Sequence, residues 1–395
     1  MRKRITLLSL LIVILFTAAN CKQQPTQNSN QQNQPTARAG RWVAQWRSPA
    51  AKGVQGLYLA AYTYTCLAVL STKVVYAAGD VPKQPDTRVG IFTRTTDGGA
   101  TWTENEITRP DMSILGINAM SFVSESTGWL VGLNSKNEGV VLKTTDGGVN
   151  WDAMKLPIKL TPKAVGFIDE NNGWIGGTSL TPEDEEEENE DDKKLVDSDP
   201  SDLLATTDGG KTWQSVRRLA FSVGDIYFLD KTTGWLAGQK GSIYKTTDAG
   251  RSWDAQKSEL EPGEGAQLDI LGEGSKKFRI IGVQFPDAEN GFAAAISGDN
   301  TEGRILATNN GGATWTKRHI GKSFGFKDVY FANGKTGWCL GDYGHYIYYT
   351  VDGGERWLSE TTAFEQDIPF FRIQGADEKH VWVAAGGAIF FRTEN

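Results

Sequence analysis

The sequence predicts an all-β fold, a seven-bladed β-propeller of four-stranded blades closed into a ring, on three observations. One phrase recurs six times, a second phrase precedes most copies of it, and the two chain ends each carry part of one further unit. The first phrase reads TTDGGATW (95–102), TTDGGVNW (144–151), TTDGGKTW (206–213), TTDAGRSW (246–253), TNNGGATW (308–315) and TVDGGERW (350–357). Its copies recur at intervals of 40 to 62 residues, the length of one propeller blade with occasional insertions.

Each unit is predicted to contain four short strands, and the best-preserved unit runs from Val223 to Lys257. Its strands are VGDIYFL (223–229), GWLAG (234–238), SIYKTT (242–247) and RSWDAQK (251–257), separated by the turns DKTT, QKG and DAG. Segments of this length with β-branched and aromatic residues, bounded by Gly, Asp and Asn, are typical of strands. The second strand corresponds to the second phrase, which reads GWLVG, GWIGG, GWLAG and GWCLG in four units.

The seventh blade is predicted to be shared between the two ends of the chain. Residues 371–393 carry strands with the pattern of the second and third, HVWVAAGGAIFFRT, but no fourth strand follows them. Near the N-terminus, RWVAQWR (41–47) is a strand without a unit of its own, with Trp in the fourth-strand position. Pairing these segments closes the ring, so that no long sheet edge remains open.

The first phrase, which we call the Asp-box, has the residue types of a tight turn. Asp or Asn is expected to accept hydrogen bonds from backbone N–H groups one to three residues further along, and Gly permits positive φ. The Trp that follows is expected to pack between adjacent blades. The acidic or amide residues and the tryptophans of the six copies are both interpreted as structural. The acidic set is Asp97, Asp146, Asp208, Asp248, Asn310 and Asp352, and the aromatic set is Trp102, Trp151, Trp213, Trp253, Trp315 and Trp357.

Residues 1–20 are predicted to be a signal peptide of the lipoprotein type. A basic start is followed by an apolar segment and small residues, and then by Cys21 as the candidate lipidation site. Asn20 is unusual just before a lipidated cysteine, so ordinary cleavage or an uncleaved anchor stays an alternative. Residues 21–40, rich in Gln and Asn, are predicted to be a disordered tether. The propeller then spans 41–395, and the protein is expected to be exported and lipid-anchored at the periplasmic or outer face of a bacterial membrane.

Charge and cysteine content exclude several classes of function. The net charge is −7, and the run 183–192 alone holds nine acidic residues, so the remaining body lacks the broad basic face that nucleic acid requires. The run is interpreted as a solvated segment, with attraction of a basic partner or cations as the alternative. Cys66 and Cys339 are expected to be buried thiols, no Cys/His group has metal-ligand spacing, and no cofactor is expected.

The Asp-box paired with the GWxxG strand resembles the photosystem II stability/assembly factor family of propellers, also called the Asp-box or BNR-like group. The resemblance covers residues 41–393. It implies a non-catalytic scaffold that binds a membrane-protein assembly intermediate, on the lumenal side of the thylakoid where the host is an oxygenic phototroph. Bacterial members are exported proteins. A monomer with a protein partner and a membrane anchor, without nucleic acid, is therefore expected.

Alternating strand direction divides the turns between two faces. First-to-second turns and Asp-boxes lie on what we call the uniform face; second-to-third turns and blade connections lie on the variable face. Length changes are predicted only on the variable face, which is therefore the expected partner surface; they fall at 80–90, 178–202, 258–277 and 297–303. The residue directly before the threonines of the third strand is basic in four blades and is a candidate for partner binding; these residues are Arg94, Lys143, Lys245 and Arg392. The alternative is that their long side chains cover strand edges.

Enzyme interpretations lack a matching motif. A sialidase needs an arginine triad with a Tyr nucleophile; Arg279, Arg304 and Arg372 are present without such a motif. His319, His345 and His380 lie in different units, and scattered histidines of this kind are interpreted as structural. The alternative function carried forward is a carbohydrate-binding or glycoside-hydrolase-like (sialidase-type) propeller of the cell envelope.

Overall fold

A computed structural model describes residues 40–51, 63–84, 87–109, 111–179, 201–258, 278–298, 302–322, 325–341, 346–362 and 368–393. The predicted signal peptide, Cys21, almost all of the tether and the acidic run lie outside these residues. Apart from one 3₁₀ turn (Pro49–Ala51), the structure described in these ranges is strands and turns. No helix in the described part of the chain is long and apolar enough to cross a membrane.

The strands form seven four-stranded blades around a ring, as the sequence predicts. The first described strand is β1 (Arg41–Arg47). Blade one is β2 (Thr63–Val69), β3 (Val75–Gln84), β4 (Thr87–Thr95) and β5 (Thr103–Glu106). Blade two is β6 (Ile114–Phe122), β7 (Gly128–Asn134), β8 (Gly139–Thr144) and β9 (Asp152–Met154). Blade three is β10 (Leu160–Phe167), β11 (Gly173–Ser179), β12 (Ser201–Thr206) and β13 (Gln214–Leu219).

The remaining blades repeat this antiparallel order. Blade four is β14 (Val223–Phe228), β15 (Gly234–Gly238), β16 (Ile243–Thr246) and β17 (Asp254–Ala255), followed by the short β18 (Lys257–Ser258). Blade five is β19 (Phe278–Gln284), β20 (Gly291–Ser297), β21 (Glu302–Thr308) and β22 (Thr314–Lys322). Blade six is β23 (Phe326–Phe331), β24 (Gly337–Gly341), β25 (Ile347–Thr350) and β26 (Leu358–Thr362). Blade seven is β27 (Phe370–Gly375), β28 (Val381–Ala385) and β29 (Ala388–Thr393), completed by β1.

The two chain ends close the ring by forming one sheet. Strand β1 pairs antiparallel with β29, with Trp42 opposite Arg392 and Val43 opposite Phe391. It also pairs in parallel with β26 of blade six, through Arg41 and Trp42. The N-terminal strand therefore joins the last blade to the one before it, and the prediction of a shared seventh blade is confirmed.

The core lies between blades, where the Asp-box tryptophans insert. Trp151 of blade two packs edge-on against Phe92 of blade one (centroids 5.3 Å apart) and against Phe122 of its own blade. Five of the six Asp-box tryptophans are buried, and Trp357 is half-buried. Because each ring fills a gap between two sheets, the stability of a blade depends on its neighbours.

On the uniform face, a backbone hydrogen bond joins the first-to-second turn to the Asp-box in blades one to six. In blade two, the N–H of Gly147 in the Asp-box donates to the carbonyl of Ser126 in the first-to-second turn, at 2.9 Å. The equivalent pairs recur in blades one and three to six. The face is thus regular because one turn geometry is repeated around it.

On the variable face, blade one differs from the prediction of a lengthened loop at 80–90. These residues extend β3 and β4 as a paired hairpin, with Asp80 opposite Gly90 and Gln84 opposite Thr87. Asp80 also bonds Arg88 across the hairpin. The Pro and charged residues of this segment suggested a loop, but pairing satisfies their backbone groups. In blade three, the flanking strands end at Ser179 and resume at Ser201, and residues 180–200 lie outside the described part.

Candidate functional site

The Asp-boxes are closed hydrogen-bonded turns. In the first, the Thr95 hydroxyl donates to Asp97 Oδ1 (2.8 Å) and accepts the N–H of Gly99 (2.9 Å). The N–H of Thr101 donates to Asp97 Oδ1 at 2.9 Å, and its hydroxyl donates to Oδ2 at 2.6 Å. This N–H lies four residues beyond the Asp, and in the second box the N–H of Val149, three residues beyond Asp146 and within the expected one to three, also donates at 3.0 Å. The bond from the Thr hydroxyl to the Asp, or to Asn310 in the fifth box, and the fourth-residue N–H bond recur in the other five boxes.

These bonds explain why the Asp-box carboxylates are committed to the turn. Hydrogen bonds from the Thr101 hydroxyl and then its N–H lower the pKa of Asp97 to about 2. The hydroxyls of Thr212 and Ser252 act first in the same way on Asp208 and Asp248, whose pKa values are also about 2. A carboxylate with so low a pKa is a poor general base at neutral pH. The geometry therefore supports a structural role for the repeated phrase.

The basic residues of strand three contact the next blade rather than standing clear of the surface. Arg94 donates to the carbonyl of Gly147 (3.0 Å), Lys143 to that of Gly209 (3.3 Å) and Lys245 to that of Gly311 (2.7 Å). Each acceptor is the first glycine of the neighbouring Asp-box. The ammonium groups of Lys143 and Lys245 also lie 4.9 and 5.3 Å from tryptophan ring centroids of their own blades.

Arg392, the fourth member of that set, is buried at the ring closure. Its guanidinium donates to Glu360 of blade six from Nε (3.0 Å) and Nη2 (2.9 Å). Both side chains are almost completely buried. The structure therefore does not bring the four basic residues together on one open surface, and partner binding by them stays a prediction.

We expect Lys245→Met to lower the free energy of unfolding by about 1–2 kcal/mol, because it removes a charge-assisted hydrogen bond between blades. Denaturant titration measures this loss, with Lys231→Met in an exposed turn as the control. If Lys245 instead serves a partner, the substitution would leave unfolding unchanged and reduce partner capture in an affinity purification.

A channel runs through the centre of the ring and is lined by the first strand of every blade. In every blade, the pairing of the first strand with the second strand contains a register shift, and the residue after the shift takes an equivalent position at one level of the channel. These residues are Cys66, Ala119, Ala164, Asp225, Gly282, Asp328 and Arg372. The cavity at this level has a volume of about 470 Å³. All charge in this ring of residues is therefore concentrated on blades four, six and seven.

The two channel carboxylates hold adjacent blades together. Asp225 accepts the N–H of Val283 in blade five, and Asp328 accepts that of Ile373 in blade seven, each at 2.9 Å. Burial raises the pKa of both carboxyls against the opposing effect of the Arg372 charge, and that of Asp328 reaches about 6. The nearby carboxylates in turn raise the pKa of Arg372, in spite of its burial.

Basic side chains surround the channel where it opens on the variable face. Lys163 and Lys327 are themselves the bulge residues of blades three and six, and a bulge re-aims the side chain it carries. With Arg279 of blade five and Arg372 they line two adjoining cavities of about 570 and 300 Å³. We call these four residues the channel mouth. Lys163 and Arg279 are exposed, and Lys327 is half-buried.

Sequence reasoning missed the channel mouth as a surface. Arg279 and Arg372 were considered only as members of a sialidase triad, and Arg304, the third, is paired with Glu302. The sequence feature that marks it is a lysine in the first strand of a blade, just before the residues whose side chains alternate between the two faces of the sheet. It occurs in Lys163-Ala-Val and Lys327-Asp-Val. It occurs in only two blades, so the repeat does not reveal it.

Other candidate reactive groups do not assemble at the channel mouth. His380 lies on the uniform face and contacts Asp377 at 2.8 Å; His345 and the side chain of His319 lie outside the described residues. Cys66 and Cys339 are free and buried, and burial raises the pKa of both thiols. Among the described residues, no three His, Cys, Asp or Glu side chains form a group that could hold a metal ion.

Comparisons with known proteins agree with the resemblance in the repeats. The family model described as photosynthesis system II assembly factor YCF48 matches residues 87–173 and 187–273. Photosystem II assembly lipoprotein Ycf48 of Synechococcus sp. (strain CC9902) is 24% identical over 303 residues, covering 67% of this chain and 80% of that protein.

Solved structures share the fold. A structure titled "YCF48 bound to D1 peptide" superposes with a TM-score of 0.58 at 13% identity, covering 91% of this chain and 97% of that one. The GH74 enzyme of Niastella koreensis has the same TM-score at 14% identity, covering 88% of this chain but 53% of its own. At these identities the structures support the ring architecture alone. The family model and the relative together support a photosystem II assembly factor-like propeller.

Proposed function

We propose that this protein is a non-catalytic, exported scaffold that binds an acidic segment of a protein partner at the channel mouth. The observation that carries the proposal is the convergence of Lys163, Arg279, Lys327 and Arg372 around two open cavities on the variable face. Basic groups around a concave opening attract a segment of opposite charge and fix its register. A partner of the membrane-protein assembly kind is supported by the similar structure whose title names a bound D1 peptide.

Location near a membrane is part of the proposal. The basis is the signal-like residues 1–20 and Cys21, together with a relative named as a lipoprotein. A lipid anchor would hold the scaffold close to membrane proteins. Blade three borders the channel mouth, because Thr178 lines one of its cavities, and we propose that this blade contributes to partner choice.

The proposal is tested by reversing the charge of the channel mouth. Tagged protein carrying Lys163→Glu, Arg279→Glu and Lys327→Glu is purified from the native host and its partners are quantified by mass spectrometry. The control carries the same charge change on the uniform face, Lys211→Glu, Lys231→Glu and Lys335→Glu. We expect the partner to fall at least ~10-fold with the first variant and to persist with the second. Equal capture by both variants would contradict the proposal.

The carbohydrate alternative is weaker at this site. A glycosidase needs one carboxyl free to protonate the leaving oxygen and a second to act as nucleophile or base. The channel carboxylates Asp225 and Asp328 are each held by two backbone N–H groups. Release of sugars from xyloglucan by the purified protein, lost in Asp225→Asn or Asp328→Asn, would favour the alternative.

A further inference from the structure

The channel carboxylates lie in the inner cavity of the channel, next to the proposed binding site. Arg372 lines both the inner cavity, which contains Asp225 and Asp328, and the smaller cavity of the channel mouth. It therefore belongs to both environments. Its five N–H donors make no hydrogen bond to another residue in the described part of the chain, so they remain available to an entering anion.

Asp328 is the carboxylate placed to influence Arg372. Its Oδ2 accepts the N–H of Ile373, the residue next to Arg372, at 2.9 Å, and its Oδ1 accepts the N–H of Val329 at 2.9 Å. On the other side, Gly282 leaves room for the carboxylate, since a Cβ there would lie 2.6 Å from Asp328 Oδ1. The two charged side chains come from adjacent blades, at the same level of the channel.

The charged and titratable groups around Asp328 are few. Arg372 approaches from β27 and Asp225 from β14, and both interact with its charge. Its own strand carries Lys327 and Tyr330, and neighbouring β24 carries the buried thiol of Cys339. With both carboxyls ionised, the inner ring carries two negative charges against one positive charge. Protonation of one carboxyl leaves it neutral.

We propose that protonation of Asp328 strengthens the attraction between Arg372 and an acidic segment at the channel mouth, so that partner binding tightens as the pH falls. The inference rests on the proposed function and adds its regulation. Above the titration range of Asp328, its negative charge offsets Arg372 and repels an entering anion. Below it, only Asp225 offsets the charge of the Arg372 guanidinium.

The sign and range follow from the channel environment. Burial raises the pKa of Asp328 to about 6, so the change falls between pH 7 and 5. A bound anion at the channel mouth interacts unfavourably with the ionised carboxylate, and one such repulsion at an effective dielectric constant near 20 changes the affinity by on the order of 10-fold.

The test measures binding of a hexa-aspartate peptide with a pH-insensitive dye by fluorescence anisotropy, at pH 7.5 and 5.0 and constant ionic strength. We expect the wild-type protein to bind on the order of 10-fold tighter at pH 5.0. Asp328→Asn should bind tightly at both values, and its residual pH dependence measures titration of the peptide and other groups. The control Glu289→Gln, on the uniform face, should keep the wild-type dependence.

A second measurement uses the wild-type protein and therefore tests the inference even if Asp328→Asn is poorly folded. The carboxyl carbon of Asp328 is titrated by NMR in the wild-type protein, and peptide should raise its pKa. Binding that is equal at both pH values, or an Asp328 titration unmoved by peptide, overturns the inference while leaving the proposed function intact. Absence of peptide binding by the wild-type protein at either pH removes the proposed site and the inference with it.

Discussion

Glu360→Ala is expected to lower the free energy of unfolding by about 3–5 kcal/mol, because it removes one partner of a buried ion pair. Glu360 accepts the N–H of Gly40 (2.9 Å), the indole N–H of Trp42 (2.7 Å) and two bonds from Arg392. It is 4% exposed and Arg392 is 6% exposed. Removing the carboxylate takes away the anion that faces the buried guanidinium of Arg392 at the closure of the ring.

Denaturant titration followed by tryptophan fluorescence measures the effect, because β1 brings Trp42 into this seam. The matched control is Glu355→Ala on the same blade, whose partner Arg318 is a surface contact and whose own side chain is 57% exposed. That change should cost no more than about 1 kcal/mol. Similar losses in the two variants would mean that the buried pair does not hold the chain ends together.

Gly148→Ala is expected to cost about 3 kcal/mol or more. Gly148 is the second glycine of its Asp-box and has φ of 85°, where an L side chain is strained. An added Cβ would also lie 2.2 Å from Cε1 of Phe92 in blade one. Phe92 is packed by Trp151 and Tyr76, so it cannot move without disturbing the seam between blades.

Thermal and denaturant unfolding measure this loss. Gly116→Ala in the same blade is the control, because a Cβ there would meet no atom within 4 Å. It should change the free energy of unfolding by less than about 1 kcal/mol. An equal effect of the two substitutions would show that the turn tolerates a side chain and that the interpretation of the repeated glycines is wrong.

The ring could be predicted from the sequence because its repeat is marked at turns. Gly and Asp are required where the backbone bends, and the tryptophan is required where two sheets meet, so both recur in six of the seven blades. The shared seventh blade followed from the leftover strand 41–47. A chain of seven similar units has few ways to satisfy its edge strands other than closure.

The channel mouth could not be predicted in the same way. Lys163 and Lys327 are directed there by bulges in strand one, and a bulge shifts the side-chain alternation that sequence patterns follow. The role of Glu360 was hidden for a related reason. In LSETT it has the pattern of an exposed fourth strand, and its burial arises only when β1 arrives from the other end of the chain.

Site-specific photo-crosslinking in the native host tests the central claim, that partners bind at the channel mouth, most directly. A photoreactive amino acid replaces Lys327 at the channel mouth or Lys335 on the uniform face, and crosslinked proteins are identified by mass spectrometry. The account predicts that position 327 crosslinks the partner captured by affinity purification and that position 335 does not. Crosslinking of that partner from position 335, with none from position 327, would contradict it.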